Sequence, residues 1–186
     1  MMFTLDVDPD LALALVEHSF ASQYLDIVSL QRDYLAQWLV WPPLAQDEAF
    51  FERFIEKSLH DYTAGHSLVC GIIYKGELVG NISFNRIDKQ LRKVEIGYWL
   101  SQDHQGKGIV SRSVTKLIDL AFNQLQMEKV EAFVAIENQA SRSVCERLGF
   151  KLEGVITRAE QLNGRMYDHA AYALRKSDWP IARCHH

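Results

Sequence analysis

The strongest constraint in this chain is a change of hydrophobic period across a glycine turn. Val94-Glu95-Ile96-Gly97-Tyr98-Trp99-Leu100 reads as a strand, and Ser111 to Leu125 carries apolar side chains at helical spacing. Gln105-Gly106-Lys107-Gly108-Ile109-Val110 joins the two. Glycines in such a connection let the backbone turn several N–H groups toward one point at the positive end of the helix dipole, with no Cβ to hold an anion away. The anion suggested is a pyrophosphate. Two other glycine signatures are absent: there is no Gly-x-Gly-x-x-Gly with a following acidic residue, and no Gly-Lys-Ser/Thr to hold a magnesium nucleotide.

The flanking sequence predicts alternating layers. Met2 to Val16 alternates around Asp8-Pro9-Asp10 and predicts extended structure; Glu17 to Gln31 places Phe20, Tyr24, Ile27 and Val28 on one helical face. Arg32 to Leu39 predicts a second short helix, stopped by Trp41-Pro42-Pro43, and Asp47 caps a third that runs to Gly65. Ser67 to Tyr74 and Glu77 to Asn85 form a hairpin about Lys75-Gly76. After the glycine turn and its helix come a strand at Val130 to Val134, a short helix from Asn138, and two strands, Phe150 to Thr157 and Tyr167 to Leu174, whose connection contains Asn163-Gly164.

The turn gains meaning from the later segment Asn138-Gln139-Ala140-Ser141-Arg142-Ser143-Val144-Cys145-Glu146-Arg147-Leu148-Gly149-Phe150. The two elements, in this order and spacing, resemble the GCN5-related N-acetyltransferase (GNAT) family, and the likeness covers nearly the whole chain. It implies an α/β (α+β) fold, a mixed and mostly antiparallel central sheet of about seven strands with helices on its faces. In that family two central strands splay apart to admit the pantetheine arm of acetyl-CoA. The resemblance therefore implies cofactor contacts from Trp99, Leu100, Gln105, Gly106, Lys107, Gly108, Ile109, Val110 and Asn138.

The chain departs from the commonest family pattern. Where a tyrosine usually serves as acid for the departing thiolate there is Cys145, read here as a buried apolar filler. Where many members have alanine there is Ser141, one helical turn from Asn138, whose hydroxyl could donate to the sulfur. Val110 replaces a glycine or alanine. These features, with Leu39-Val40-Trp41-Pro42, Ile82 to Ile87, Glu95 to Leu100 and Ala159-Glu160-Gln161-Leu162-Asn163, narrow the resemblance to the ribosomal-protein N-terminal acetyltransferases. That branch implies Glu160 as the base and Ser141 as the group assisting the thiolate, with Glu160 in the connection before Asn163-Gly164.

The acceptor is expected to be a primary amine, with a protein N-terminus preferred. At pH 7 a lysine amine of pKa about 10.4 is neutral about once in 2,500 molecules, a deficit of about 4.6 kcal/mol, whereas an α-amine lacks only about 1–1.4 kcal/mol. One glutamate suits the easier case. The alternatives are a polyamine acetyltransferase, an antibiotic acetyltransferase, for which Asp47, Glu48, Glu52, Glu56 and Asp61 would furnish an acidic cleft, and a non-catalytic acyl-CoA binder.

Composition restricts the remaining classes. The 186 residues are 48% apolar, without repeats or low-complexity blocks, and fit one domain spanning 1–186. A net charge of −4 with scattered Lys and Arg gives no nucleic-acid footprint. No run approaches the roughly 20 apolar residues of a membrane span, and the first residues lack the plan of a signal peptide. Cys70, Cys145 and Cys184 lack metal-like spacing, so no metal is expected and a cytoplasmic location is. The final Cys184-His185-His186 is set aside as a tail, and the last hairpin is the surface expected to serve a homodimer.

Overall fold

A computed structural model describes residues 3–180; the terminal Cys184-His185-His186 lies outside them. The chain forms an eight-stranded sheet in the order β1-β2-β3-β4-β5-β6-β8-β7. Its strands are β1 (Thr4–Asp8), β2 (Leu11–Leu15), β3 (Leu68–Tyr74), β4 (Glu77–Asp88), β5 (Lys93–Leu100), β6 (Lys129–Ala135), β7 (Lys151–Leu162) and β8 (Arg165–Arg175). All neighbours are antiparallel except β5 and β6. The extended region at the start is thus a two-strand ribbon, turning at Asp8-Pro9-Asp10, and brings the strand number to one more than expected. Both hairpins read from the sequence turn through two positive φ angles, at Lys75-Gly76 (52° and 84°) and Asn163-Gly164 (51° and 77°), the twist that tight hairpins require.

Helices cover both faces, and period-two alternation decides what each strand gives to each side. On one face α3 (Ile109–Asp119) buries Ile109, Val114, Leu117 and Ile118 against Leu13, Cys70, Ile72, Ile82 and Phe84. On the other, α1 (Phe20–Leu35) and α2 (Glu48–Thr63) bury Phe20, Tyr24, Val28, Phe51 and Ile55 against Val69 and Leu78. Each such side chain contributes roughly 1.5–3 kcal/mol, an upper bound because the unfolded chain is already partly compact. Asp47 caps α2, accepting from Phe50 N–H at 2.9 Å. The short α4 (Gln139–Arg147) precedes β7.

The two helices expected either side of Gln31 run on from one another in α1 and break where expected, at Gln31, whose φ is −130°. The Gln31 carboxamide explains the break: it leaves the helix to donate to Ser101 Oγ at 3.1 Å and to accept from Gln102 N–H at 2.8 Å. The helix after the glycine turn ends earlier than expected, with Leu120–Gln124 widening into a π turn. The largest difference concerns Glu160. It lies inside β7 and not in the connection, because the ladder continues through a bulge to the Leu162↔Arg165 pair. Thr157 to Gln161 show no apolar alternation because this edge strand is exposed on both faces, which leaves the periodicity argument nothing to read.

The sheet is divided between β5 and β6. Their pairing is limited to Lys93↔Lys129, Val94↔Val130 and Glu95↔Glu131, while β5 stays paired to β4 as far as Leu100 and β6 to β8 as far as Ala135. A bulge in β4 between Phe84 and Arg86 lies opposite the last paired residue, Glu95, and turns β5 away. Its extra residue, Asn85, lays its side chain over Gly97, where a Cβ would stand 2.5 Å from Asn85 Nδ2. Below the divergence Glu131 is held by Lys93 at 3.0 Å and Lys129 at 3.1 Å.

Gly80, paired with Leu100, lets β4 and β5 approach closely: a Cβ there would lie 2.4 Å from Trp99 O and 3.0 Å from Leu100 Cα. Gly80→Ala must move backbone, and is expected to destabilise the protein by about 1–3 kcal/mol as an overpacked site. Urea unfolding measures this; an unchanged midpoint would show that β5 yields freely.

Candidate active site

Beyond Glu95 the edge of β5 that faces β6 has no strand partner, and the same is true of β6 beyond Glu131. Two cavities occupy the opening. One, of about 810 Å³, runs past Trp99, Leu100 and the glycine turn to α4; the other, of about 520 Å³, lies toward α1, α2 and β4. Tyr98, Trp99, Asn138 and Ser141 line both, so the cavities meet there.

The glycine turn has the form of an anion site. Gly106 and Gly108 hold φ of 72° and 69°, in the left-handed region where a side chain is strained. Among the described residues, none of the N–H groups from Gly106 to Ser111 donates to a protein acceptor; Arg112 N–H is the first, to Gly108 O at 3.1 Å. These donors stand at the N-terminus of α3. Arg112, paired with Asp8, also donates to Gly108 O and Lys107 O at 3.3 Å each and fixes the turn from behind. The kinked end of α1 covers the groove, with Gln105 Nε2 donating to Tyr34 Oη.

Gln105, Gly106, Gly108, Ile109 and Val110 all line the groove with Trp99, Leu100 and Asn138. Lys107 does not: its ammonium turns outward to Asp103 O at 3.1 Å, leaving only its main chain to the turn. The Asn138 side-chain oxygen accepts from Ser141 N–H at 3.2 Å, so asparagine caps α4 and the Ser141 hydroxyl has no capping duty. Cys145 is 3% exposed, and burial, followed by the nearby Glu146 charge, pushes its thiol up to about 12. A thiol so held is inert.

The second cavity is walled by aromatic rings. Trp41 stacks near-parallel on Phe50, centroids 6.3 Å apart, and meets Trp99 at 5.8 Å; Tyr24 and Phe51 continue the wall. Asn81, Ser83 and Asn85 of β4 add polar groups. Glu160 is the one carboxylate among the lining residues, and its Oε2 lies 3.1 Å from His169 Nε2. The β7 bulge aims it: between Ile156↔His169 and Glu160↔Tyr167 the strand takes four steps against two on β8, with Arg158 at φ 51° donating its N–H to Asp168 at 2.8 Å. The hairpin then bridges the cleft, with Asn163 Nδ2 donating to Ala36 O at 3.1 Å and Tyr167 edge-on to Trp38. The acidic row Asp47, Glu48, Glu52, Glu56 and Asp61 lines neither cavity.

Sequence reasoning did not find His169 or Tyr98. Each sits on a strand beside residues it did identify, and only pairing across the sheet, Ala135↔His169 and Ile82↔Tyr98, brings them to the cleft. Alternation along Tyr98-Trp99 was the available signal, since it sends the two rings to opposite faces of β5. Among the described residues no cluster of three or more His, Cys, Asp or Glu could hold a metal ion, and no helix is long and apolar enough to cross a membrane.

Comparison with known proteins agrees with this architecture. The acetyltransferase (GNAT) domain family matches residues 14–151. The ribosomal-protein-serine acetyltransferase of Escherichia coli (strain K12) is 31% identical over 173 residues, 93% of this chain and 97% of the relative. The solved structure of RimL, a ribosomal L7/L12 alpha-N-protein acetyltransferase in complex with coenzyme A, superposes with a TM-score of 0.91 at 27% identity, covering 95% of this chain and 99% of that one. The microcin C7 self-immunity acetyltransferase MccE, in complex with acetyl-CoA and AMP, gives a TM-score of 0.87 at 30% identity over 91% and 94% of the two chains. With its splayed strands, glycine turn and domain match together, the chain belongs to the GNAT family of acetyltransferases.

Proposed function

We propose that this protein transfers the acetyl group of acetyl-CoA to the N-terminal α-amine of a protein, with a ribosomal protein as the acceptor class suggested by the names of its relatives. The observation that carries the reading is the meeting of two cavities at Ser141, one leading to the unpaired amides of the glycine turn and the other to Glu160. Acetyl-CoA supplies an activated acyl group on a thioester. The N–H groups from Gly106 to Ser111 receive the pyrophosphate, and the free edge of β5 at Trp99 and Leu100 receives the amide-bearing arm.

Glu160, oriented by the imidazole of His169, takes the proton of the attacking amine, directly or through a water. Backbone N–H on the open edge of β5 stabilises the oxyanion. Ser141 donates a hydrogen bond to the sulfur as it departs. The single carboxylate and aromatic walls favour an acceptor with one amine over a polycation, which would leave its remaining charges unpaired in an apolar cavity. A second copy of the chain would meet it along β7, the outer strand, where Leu152, Val155 and Ile156 are about half exposed.

Two peptides test the acceptor: one with a free N-terminal serine and no lysine, the other blocked at its N-terminus with one lysine. Mass spectrometry is expected to find acetylation on the first alone, and Glu160→Gln to slow it about a hundredfold with acetyl-CoA affinity retained. Product on neither peptide would transfer the reading to a small-molecule amine, and an unaffected Glu160→Gln rate would remove Glu160 as base. Gly108→Asp, which adds a strained side chain and a negative charge at the turn, is expected to raise the acetyl-CoA Kd by about tenfold or more in calorimetry. An unchanged Kd would take the turn out of the cofactor site.

A further inference from the structure

Tyr98 carries a buried hydroxyl that makes no hydrogen bond within the protein. Such a group is costly to keep, because it has lost its water and gained nothing in return. Its position accounts for it. Tyr98 reaches from β5 toward α4, packing against the core on that side, and lies where the two cavities join. The polar side chain beside it is Ser141. Burial pushes the phenol up to about 12, and the Ser141 hydroxyl draws it back the other way, although the two do not form a hydrogen bond of good geometry.

We propose that Tyr98 is a positioning residue for the acyl transfer, its hydroxyl, unpartnered in the free protein, donating to Ser141 Oγ once acetyl-CoA is bound so that the serine hydrogen points at the departing sulfur. The inference rests on the assignment of Ser141 made above. A serine hydroxyl has one hydrogen and two lone pairs and turns freely about its Cβ–Oγ bond. With Asn138 taken up in capping the helix through Ser141 N–H, no other group among the described residues fixes that rotor. A donor on one side occupies a lone pair, orients the hydrogen toward the cofactor groove and polarises the O–H bond. Tyr98 keeps its own proton throughout. A thiolate whose conjugate acid has a pKa of about 8.5 is too weak a base to remove it, so the thiolate leaves as a hydrogen-bonded anion and becomes thiol in solvent, taking up the equivalent of the proton that Glu160 removed from the amine. The arrangement brings a phenol to the sulfur's side of the cleft from β5, to orient Ser141 and not, as a tyrosine at the Cys145 position on α4 would, to give up a proton.

The test is a double-mutant cycle of Tyr98→Phe and Ser141→Ala, read in kcat, in the KM for acetyl-CoA and in Tm. In the free protein, removing an oxygen that has no partner there is expected to leave Tm unchanged or raise it, whereas a hydroxyl with a structural role would lower Tm when lost. Tyr98→Phe is expected to lower kcat about tenfold with KM within a factor of two, and to cost less than twofold when Ser141 is already alanine. Equal losses in the two backgrounds, or a kcat loss accompanied by a fall in Tm, overturn the positioning role while the Ser141 assignment stands. Should Ser141→Ala by itself leave kcat unchanged, the Ser141 assignment fails first and this inference fails with it.

Discussion

The parting of β5 from β6 is the constraint on which the rest of the structure depends. A strand edge inside a sheet carries N–H and C=O groups that must find partners, and opening a pair in the middle of a sheet is costly unless something else supplies them. Here the opening is enforced on one side and restrained on the other. The β4 bulge at Asn85, with Gly97 admitting its side chain, turns β5 away just where pairing stops. The Lys93-Glu131-Lys129 cluster closes the vertex; burial raises the Glu131 carboxyl, and hydrogen bonds from the two lysines outweigh this and hold it below the usual range.

Everything chemical in the cleft is arranged around that opening. The glycine turn follows the free end of β5 after one short 3-10 turn, Gln102–His104, and its amides line the same cavity as Trp99 and Leu100. Alternation along β5 divides the labour between its faces: Trp99 joins the aromatic wall with Tyr24 and Trp41, while Tyr98 crosses to the side of α4 and Ser141. The Tyr34–Gln105 and Asn163–Ala36 contacts close the groove and cleft from above with single hydrogen bonds between exposed groups, contacts weak enough to part and re-form.

The sequence was most legible where one residue type had one physical use. Lys75-Gly76 could only be a tight turn, Asp47 could only cap, and glycines at Gly106 and Gly108 were needed for positive φ. Composition and periodicity lost their grip where tertiary contacts decided the outcome. The sequence located the break at Gln31 but not its cause, a side chain reaching across to Ser101, and it did not show the change to a π turn after Asp119. Glu160 was identified by resemblance but assigned to a loop, because a two-faced exposed edge strand leaves no apolar pattern. His169 escaped notice because it has no distinctive neighbour in the chain, and Tyr98 because the resemblance singled out Trp99 beside it; the meaning of each arises from what stands opposite.

The central claim is that the open edge of β5 and the amides after it are held free for an acyl-CoA. Hydrogen exchange at single-residue resolution, with and without coenzyme A, tests it most directly. The account predicts that exchange slows on binding at amides within Ile96 to Leu100 and at those from Gly106 to Ser111, with little change along the β1–β2 ribbon. Protection confined to other segments, with these amides exchanging as fast as before, would contradict it.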